Sequence, residues 1–124
     1  MTEKDILIEF ANALLKAIPQ GMNFSRCSLS IERQEGMTGI EATVVNSDNE
    51  LDWLDPDFDY DSAIKNLYTI TQTQPPIHTD WNKAVFTLYP DGKSDMEYIW
   101  DAEWQAELDK LRADYERRKN RRKK

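Results

Sequence analysis

The fold is decided by residues 81–101, which have the sequence WNKAVFTLYPDGKSDMEYIWD. At its centre lies Asp91-Gly92, a dipeptide typical of the tight turn that joins two antiparallel strands. The stretch predicts one strand over Trp81–Tyr89 and its partner over Met96–Trp100. It is therefore expected to form an antiparallel hairpin.

A second hairpin is predicted upstream, over residues 24–44, where apolar residues alternate with polar ones. Such alternation is typical of strands with one buried face. The apolar residues are Cys27, Leu29 and Ile31 in the first strand and Ile40, Ala42 and Val44 in the second. Gly36 and Gly39 bracket the turn between them, and Leu51–Leu54 is a candidate for a short third strand.

Three segments have the apolar spacing of amphipathic helices. The first carries a Thr2/Asp5 pair resembling a capping box and is stopped by Pro19 and Gly21. The second covers about Asp59–Thr71 and ends before two prolines, and the third begins near Asp101. The apolar positions are Ile6, Phe10, Ala13, Leu14, Ala17 and Ile18 in the first helix, Tyr60, Ala63, Ile64, Leu67 and Ile70 in the second, and Trp104, Leu108, Leu111 and Tyr115 in the third.

The predicted fold is a single α+β domain with the order helix, hairpin, helix, hairpin, helix. Its antiparallel sheet is expected to carry the helices on one face. The domain is assigned to residues 1–114 and a basic C-terminal tail to residues 115–124.

Charge is distributed unevenly along the chain. The 124 residues carry 23 acidic and 16 basic side chains, a net charge of −7. Residues 115–124 hold seven of the bases and one acid, so residues 1–114 carry 22 acids and 9 bases, a net charge of −13. A surface this negative repels nucleic acid and anionic membranes and attracts basic proteins. The basic tail could contact nucleic acid or an acidic partner, but cations also stabilise the last turns of a helix, which is the simpler interpretation.

The acidic residues are densest between Asp48 and Asp61, where seven acids occur without a base and aromatic residues lie among them. Carboxylates can steer a basic partner while aromatic side chains anchor it, which predicts a partner-binding surface. The alternative is a solvated loop whose aromatic side chains turn into the core. The candidate residues are Asp48, Glu50, Asp52, Trp53, Asp55, Asp57, Phe58, Asp59, Tyr60 and Asp61. If they do not bind a partner, the sheet face near Trp81, Tyr98 and Trp100 is the second candidate.

Two binding motifs that the sequence partly matches, a calcium-binding EF-hand and a phosphate-binding loop, are disfavoured. Asp55, Asp57 and Asp59 have the spacing of calcium ligands in an EF-hand, but Tyr60 and Asn66 stand where that loop needs glycine and glutamate. Gly92-Lys93-Ser94 lacks the earlier glycine of a phosphate-binding loop, since Thr87 occupies that position.

The remaining reactive residues do not form a recognisable site. His78 is the only histidine, and although His78 with Asp80 could serve acid–base chemistry, a single loop histidine is more often solvated. Cys27 lies among apolar neighbours, as a buried thiol does. We therefore expect no cofactor, no metal and no enzymatic activity.

The compartment follows from two further observations. A single cysteine permits no intrachain disulfide, which fits a reducing environment. The first residues do not resemble a secretion signal, and no apolar stretch approaches the length of a membrane span. The sequence predicts a cytoplasmic protein.

The chain resembles the YezG-like family of bacterial immunity proteins, which are antitoxins. The resemblance covers about residues 5–108 and is carried by the first helix ending in Ala17-Ile18-Pro19, by the acidic, aromatic middle, and above all by residues 81–101. In that last stretch a tryptophan opens a strand, a glycine-centred turn follows, and an aromatic-rich strand ends near an acid. The basic tail departs from the family pattern.

Membership would imply a protein without catalytic activity that binds and neutralises a cognate toxin, commonly a nuclease. The alternative function is a non-enzymatic adaptor or regulatory module that uses the acidic surface for docking. An adaptor should associate with housekeeping proteins and have no toxin encoded beside it.

Overall fold

The computed structural model describes the backbone of residues 1–122 and the side chains of residues 1–120. Three helices and five strands follow in the order α1 (Glu3–Ala17), β1 (Phe24–Gln34), β2 (Met37–Asn46), β3 (Leu51–Leu54), α2 (Tyr60–Thr73), β4 (Lys83–Leu88), β5 (Ser94–Ile99) and α3 (Ala102–Arg122). The predicted capping box of α1 is present, since the Thr2 hydroxyl accepts from the Asp5 amide and the Asp5 carboxylate accepts from the Thr2 amide.

The strands form one antiparallel sheet in the order β3-β2-β1-β4-β5. The central strand β1 pairs on both sides, so that Leu29 lies opposite Ala42 of β2 and Phe86 of β4. The α+β class and the antiparallel sheet are thus confirmed.

The predicted hairpin order is wrong in one respect, because β3 extends the first hairpin to three strands. The connection turns at Asn49, which has a positive φ of 66°, while the Asn46 side chain accepts from the amides of Asp48 and Glu50. β3 is only four residues long and most of its side chains are exposed, so alternation along the sequence is a weak signal for it. The observed order is helix, three strands, helix, two strands, helix.

The core lies between the sheet and the pair α1 and α2. Alternate side chains of the strands point toward these helices, and the ring of Phe10 lies 6.0 Å from that of Phe86. Each fully buried apolar side chain contributes about 1.5–3 kcal/mol. The wholly buried members include Ile6, Phe10, Leu14, Leu29, Ile64 and Leu67.

The expectation that all helices share one face is also wrong, since α3 contacts the opposite face. Lys83 alternates with buried Ala84 along β4 and therefore points away from α1 and α2. Its ammonium nitrogen lies 2.9 Å from Asp101 Oδ2 and 4.9 Å from the ring centroid of Trp104. No side chain of α3 between residues 102 and 120 is fully buried, so polar contacts rather than apolar burial anchor this helix.

The predicted division between domain and tail falls inside α3, which continues through Arg122. Residues 116–120 are exposed, and Lys123 and Lys124 lie outside the described residues. No helix in the described part of the chain combines the length and the apolar character that a membrane span needs.

Candidate partner-binding surface

The acidic run lies at one edge of the sheet. β3 is the end strand and pairs only with β2, where Trp53 lies opposite Thr43. Trp53 is 66% exposed, the highest exposure of any aromatic side chain in the described residues. We call Trp53 and the carboxylates next to it along the chain the β3 edge. Its members are Asp48, Glu50, Asp52, Trp53, Asp55 and Asp57.

The five carboxylates of the β3 edge are exposed, and within residues 1–120 none accepts a side-chain hydrogen bond or forms an ion pair. Like charges this close in sequence repel one another when nothing offsets them. These carboxylates therefore face solvent without contributing a side-chain hydrogen bond or ion pair to the described part of the fold.

The other four predicted members are engaged in the fold. Phe58 packs edge-on against Phe10, with ring centroids 5.9 Å apart, and Tyr60 packs on Phe58 at 6.3 Å. Asp59 is the N-cap of α2 and accepts from the Ser62 amide at 3.2 Å. Phe58 thus turns toward the core while Trp53 stays exposed, and partner binding by the run remains a prediction.

Asp61 is tied down as well. Thr38 Oγ1 donates to Asp61 Oδ1, and Lys65 Nζ lies 2.9 Å from Asp61 Oδ2. The hydrogen bond from Thr38 and then the contact with Lys65 lower the pKa of Asp61. This carboxylate joins α2 to β2 and is not free for a partner.

A shallow cavity of about 250 Å³ lies beside the β3 edge, on the side of α1. Its lining is mainly apolar, with two carboxylates among the lining residues, which are Ala17, Pro19, Met22, Val44, Asp52, Trp53, Leu54 and Asp55. A long basic side chain matches this chemistry, because its methylene stem packs on apolar surface while its charged end meets carboxylates or an aromatic face.

His78 and Asp80 contact other residues rather than each other. His78 Nε2 lies 3.2 Å from Glu3 Oε2, and its ring lies 4.9 Å from that of Tyr98. Asp80 Oδ1 instead accepts from the Tyr68 hydroxyl and from the Trp81 amide, each at 2.8 Å. These contacts connect loops and helices of the fold.

The second candidate surface, near Trp81, Tyr98 and Trp100, is largely inaccessible. Trp81 is fully buried, its indole nitrogen donates to Thr71 Oγ1 at 2.9 Å, and its ring lies 5.2 Å from that of Tyr98. The Tyr98 hydroxyl is buried and finds no hydrogen-bond partner within residues 1–120, and burial raises its pKa well above the usual value. Trp81 and Tyr98 belong to the core, whereas Trp100 is 47% exposed.

Asn82 is a key residue that sequence reasoning missed. It is buried, donates to the Asp101 carbonyl at 2.9 Å and accepts from the Asp101 amide at 2.7 Å. Asp101 Oδ1 in turn accepts from the Trp104 amide at 3.0 Å, which caps α3. The available signal was an amide residue near the start of a predicted strand with several apolar residues, because a buried amide is tolerated only when it is hydrogen-bonded.

The thiol of Cys27 is buried, as predicted, and lies 3.8 Å from the Leu88 carbonyl. Burial raises the pKa of Cys27 to about 11, which keeps the thiol protonated near neutral pH. Across the described residues, no group of three or more His, Cys, Asp or Glu side chains is placed to hold a metal ion.

Neither models of known protein families nor curated protein sequences give a significant match to this chain. What the molecule does must therefore be argued from its own surface.

Proposed function

We propose that the chain is a cytoplasmic immunity protein that binds and neutralises a cognate bacterial toxin, a nuclease domain, without catalysing a reaction itself. The observation that carries this proposal is the β3 edge, where the exposed Trp53 and five exposed carboxylates without a side-chain partner within residues 1–120 lie close together along the chain. The resemblance of residues 5–108 to the YezG-like family points in the same direction.

Electrostatics favours a nuclease as the partner. A protein that grips the phosphate backbone presents a basic groove, and an acidic surface is its complement. Residues 1–114 carry a net charge of −13, which speeds encounter with a basic partner and repels nucleic acid. Covering the phosphate-binding face is sufficient for inhibition, so no residue of this chain needs to reach the catalytic centre of the toxin.

Trp53 is the best candidate for an anchor. Tryptophan is enriched among the residues that dominate binding energy, which are typically surrounded by contacts that exclude water. A fully buried aromatic side chain removes roughly 150–250 Å² from water, and Trp53 leaves 66% of its surface exposed. At about 25 cal/mol per Å², covering this exposed surface of Trp53 contributes roughly 2–4 kcal/mol to binding.

The direct test is co-expression with the toxin domain encoded beside this chain. We expect a complex that survives purification at low salt, loses stability as salt rises, and restores growth of cells producing the toxin. Failure to form a complex at low salt would overturn the proposal.

Paired variants locate the interface. Asp55→Asn with Asp57→Asn should slow association roughly three- to tenfold at low salt, because long-range attraction sets the association rate. Asp95→Asn with Glu97→Gln removes the same charge from β5 at the far edge of the sheet and serves as the control. Asp59 is left intact because it caps α2.

The aromatic anchor is tested in the same way. Trp53→Ala should weaken binding about 30-fold or more, as loss of roughly 2 kcal/mol requires. Trp100→Ala, also an exposed tryptophan but at the end of β5, is the matched control. Equal effects of the test and control variants would place the interface away from the β3 edge.

A further inference from the structure

α3 carries an apolar stripe that runs off the end of the sheet. Trp104 is half-buried against Lys83, but Leu111 and Tyr115 further along the helix are each 64% exposed. Beside them is a groove of about 450 Å³ lined by Gln34, Leu108, Leu111, Arg112, Tyr115 and Glu116. No other element covers Leu111 or Tyr115 within residues 1–120.

The stripe has the spacing of a two-helix seam. Trp104, Leu108, Leu111 and Tyr115 follow one another at intervals of four, three and four residues, which is the heptad pattern of helices that pack side by side. The 11 steps from Trp104 to Tyr115 correspond to about 16 Å at about 1.5 Å per residue. An exposed seam of this kind gains free energy when a second helix covers it.

The order of acidic and basic residues along α3 determines which kind of helix can pack favourably on the apolar stripe. Residues 101–109 contain four acids and no base, whereas residues 117–124 contain seven bases and no acid. The segment between them, residues 110–116, has two of each sign. A helix with the opposite order of charges is the electrostatic complement of α3, and α3 turned end for end has that order.

We propose that α3 pairs in antiparallel orientation with α3 of a second copy of this chain. In this arrangement Leu108 faces Leu111 of the second copy, and Trp104 faces its Tyr115. In this register residues 101–109 of each helix lie along residues 110–118 of the other, so that Arg117 and Arg118 lie beside the acidic first turn. A parallel pair would place like charges together along both ends, which costs free energy.

The fold already holds α3 in position for such pairing. Arg112 donates to Gln34 Oε1 at 3.0 Å and to the Glu35 carbonyl at 2.7 Å, and Asn82 fixes the first turn through Asp101. A helix held at two points loses less conformational entropy on association than a free one. The apolar stripe of α3 is remote in sequence from the β3 edge, and pairing through it does not require a toxin.

Sedimentation equilibrium of the full chain tests the proposal. We expect a dimer that weakens as salt rises, and Leu111→Glu with Tyr115→Glu should lower the association constant roughly tenfold or more, because both lose a buried apolar contact. As the control, Ile8→Glu with Leu15→Glu changes two half-exposed residues of α1 and should leave the association constant unchanged. A wild-type chain that stays monomeric up to its solubility limit overturns the proposal.

Charge reversal tests the orientation. Glu103→Lys with Glu107→Lys should weaken the dimer, and so should Arg117→Glu with Arg118→Glu. All four changes in one chain restore opposite charge where the beginning of one helix, at Glu103, meets Arg117 of the other, and should restore association toward the wild-type value. Absence of rescue overturns the antiparallel pairing.

A cysteine substitution gives an independent check on orientation. Tyr115→Cys should form no disulfide with itself, because the two positions lie about 16 Å apart in the proposed pair, far beyond the reach of a disulfide. A disulfide dimer formed rapidly through Tyr115→Cys would show that the helices run parallel.

Discussion

Replacing Asn82 by alanine should loosen α3 while leaving the sheet intact. The change removes the hydrogen bonds that Asn82 exchanges with the Asp101 backbone at 2.9 and 2.7 Å. Each hydrogen bond contributes about 1 kcal/mol net, and a polar group left without a partner adds a desolvation cost of about 1–3 kcal/mol. With Asn82 itself 1% exposed, we expect the free energy of unfolding to fall by about 2–4 kcal/mol.

Urea denaturation measures the loss, and hydrogen exchange locates it. Amides of α3 should exchange faster in Asn82→Ala, while those of β1 change only with global stability. Asn12→Ala, at an exposed position of α1, is the control and should be neutral or slightly stabilising. A loss below about 1 kcal/mol, or unchanged exchange in α3, would refute the role assigned to Asn82.

Three further outcomes are expected. Native protein at pH 8 should alkylate at Cys27 far more slowly than urea-unfolded protein, because burial holds its pKa near 11; equal rates would contradict this. The Trp104 amide and then Lys83 lower the pKa of Asp101, so its contribution is complete above the unfolded pKa of about 4 and disappears as pH falls through the folded pKa. Urea midpoints of Asp101→Asn should therefore decline less on acidification than those of wild type, and parallel curves would refute the assignment. Phe58→Ala should cost about 3 kcal/mol in urea denaturation and Trp53→Ala about 1 kcal/mol, since Phe58 packs on Phe10 whereas Trp53 is mostly exposed; the reverse order would show that the two roles are exchanged.

Local patterns in the sequence predict most of the elements because they rest on short-range physics. Asp91-Gly92 sets the turn between β4 and β5, with Gly92 at a φ of 86°, and the Thr2/Asp5 capping box starts α1. The alternation around Leu29 correctly predicts that Cys27, Leu29 and Ile31 are buried in β1. These signals act within a few residues, so one chain is enough to recognise them.

The sequence-based predictions fail where contacts between residues distant in sequence determine the structure. The side of the sheet on which α3 lies depends on Lys83 and Arg112 meeting residues far away in sequence, which helical periodicity cannot predict. Likewise, residues of the same type in the acidic run have different roles, since some face solvent and others hold the fold together. Asp57 and Asp59 differ by two positions, yet only Asp59 caps a helix, and that depends on where α2 begins.

The separation of free from engaged carboxylates has a consequence for how such a surface can evolve. Asp48, Glu50, Asp52, Asp55 and Asp57 make no side-chain hydrogen bond or ion pair within residues 1–120, so their replacement costs the fold little. Asp59 and Asp61, by contrast, are constrained by α2 and Thr38. Mutation can therefore vary the five exposed carboxylates freely, as the proposed interface with a toxin would require, while Asp59 and Asp61 preserve the scaffold that displays them.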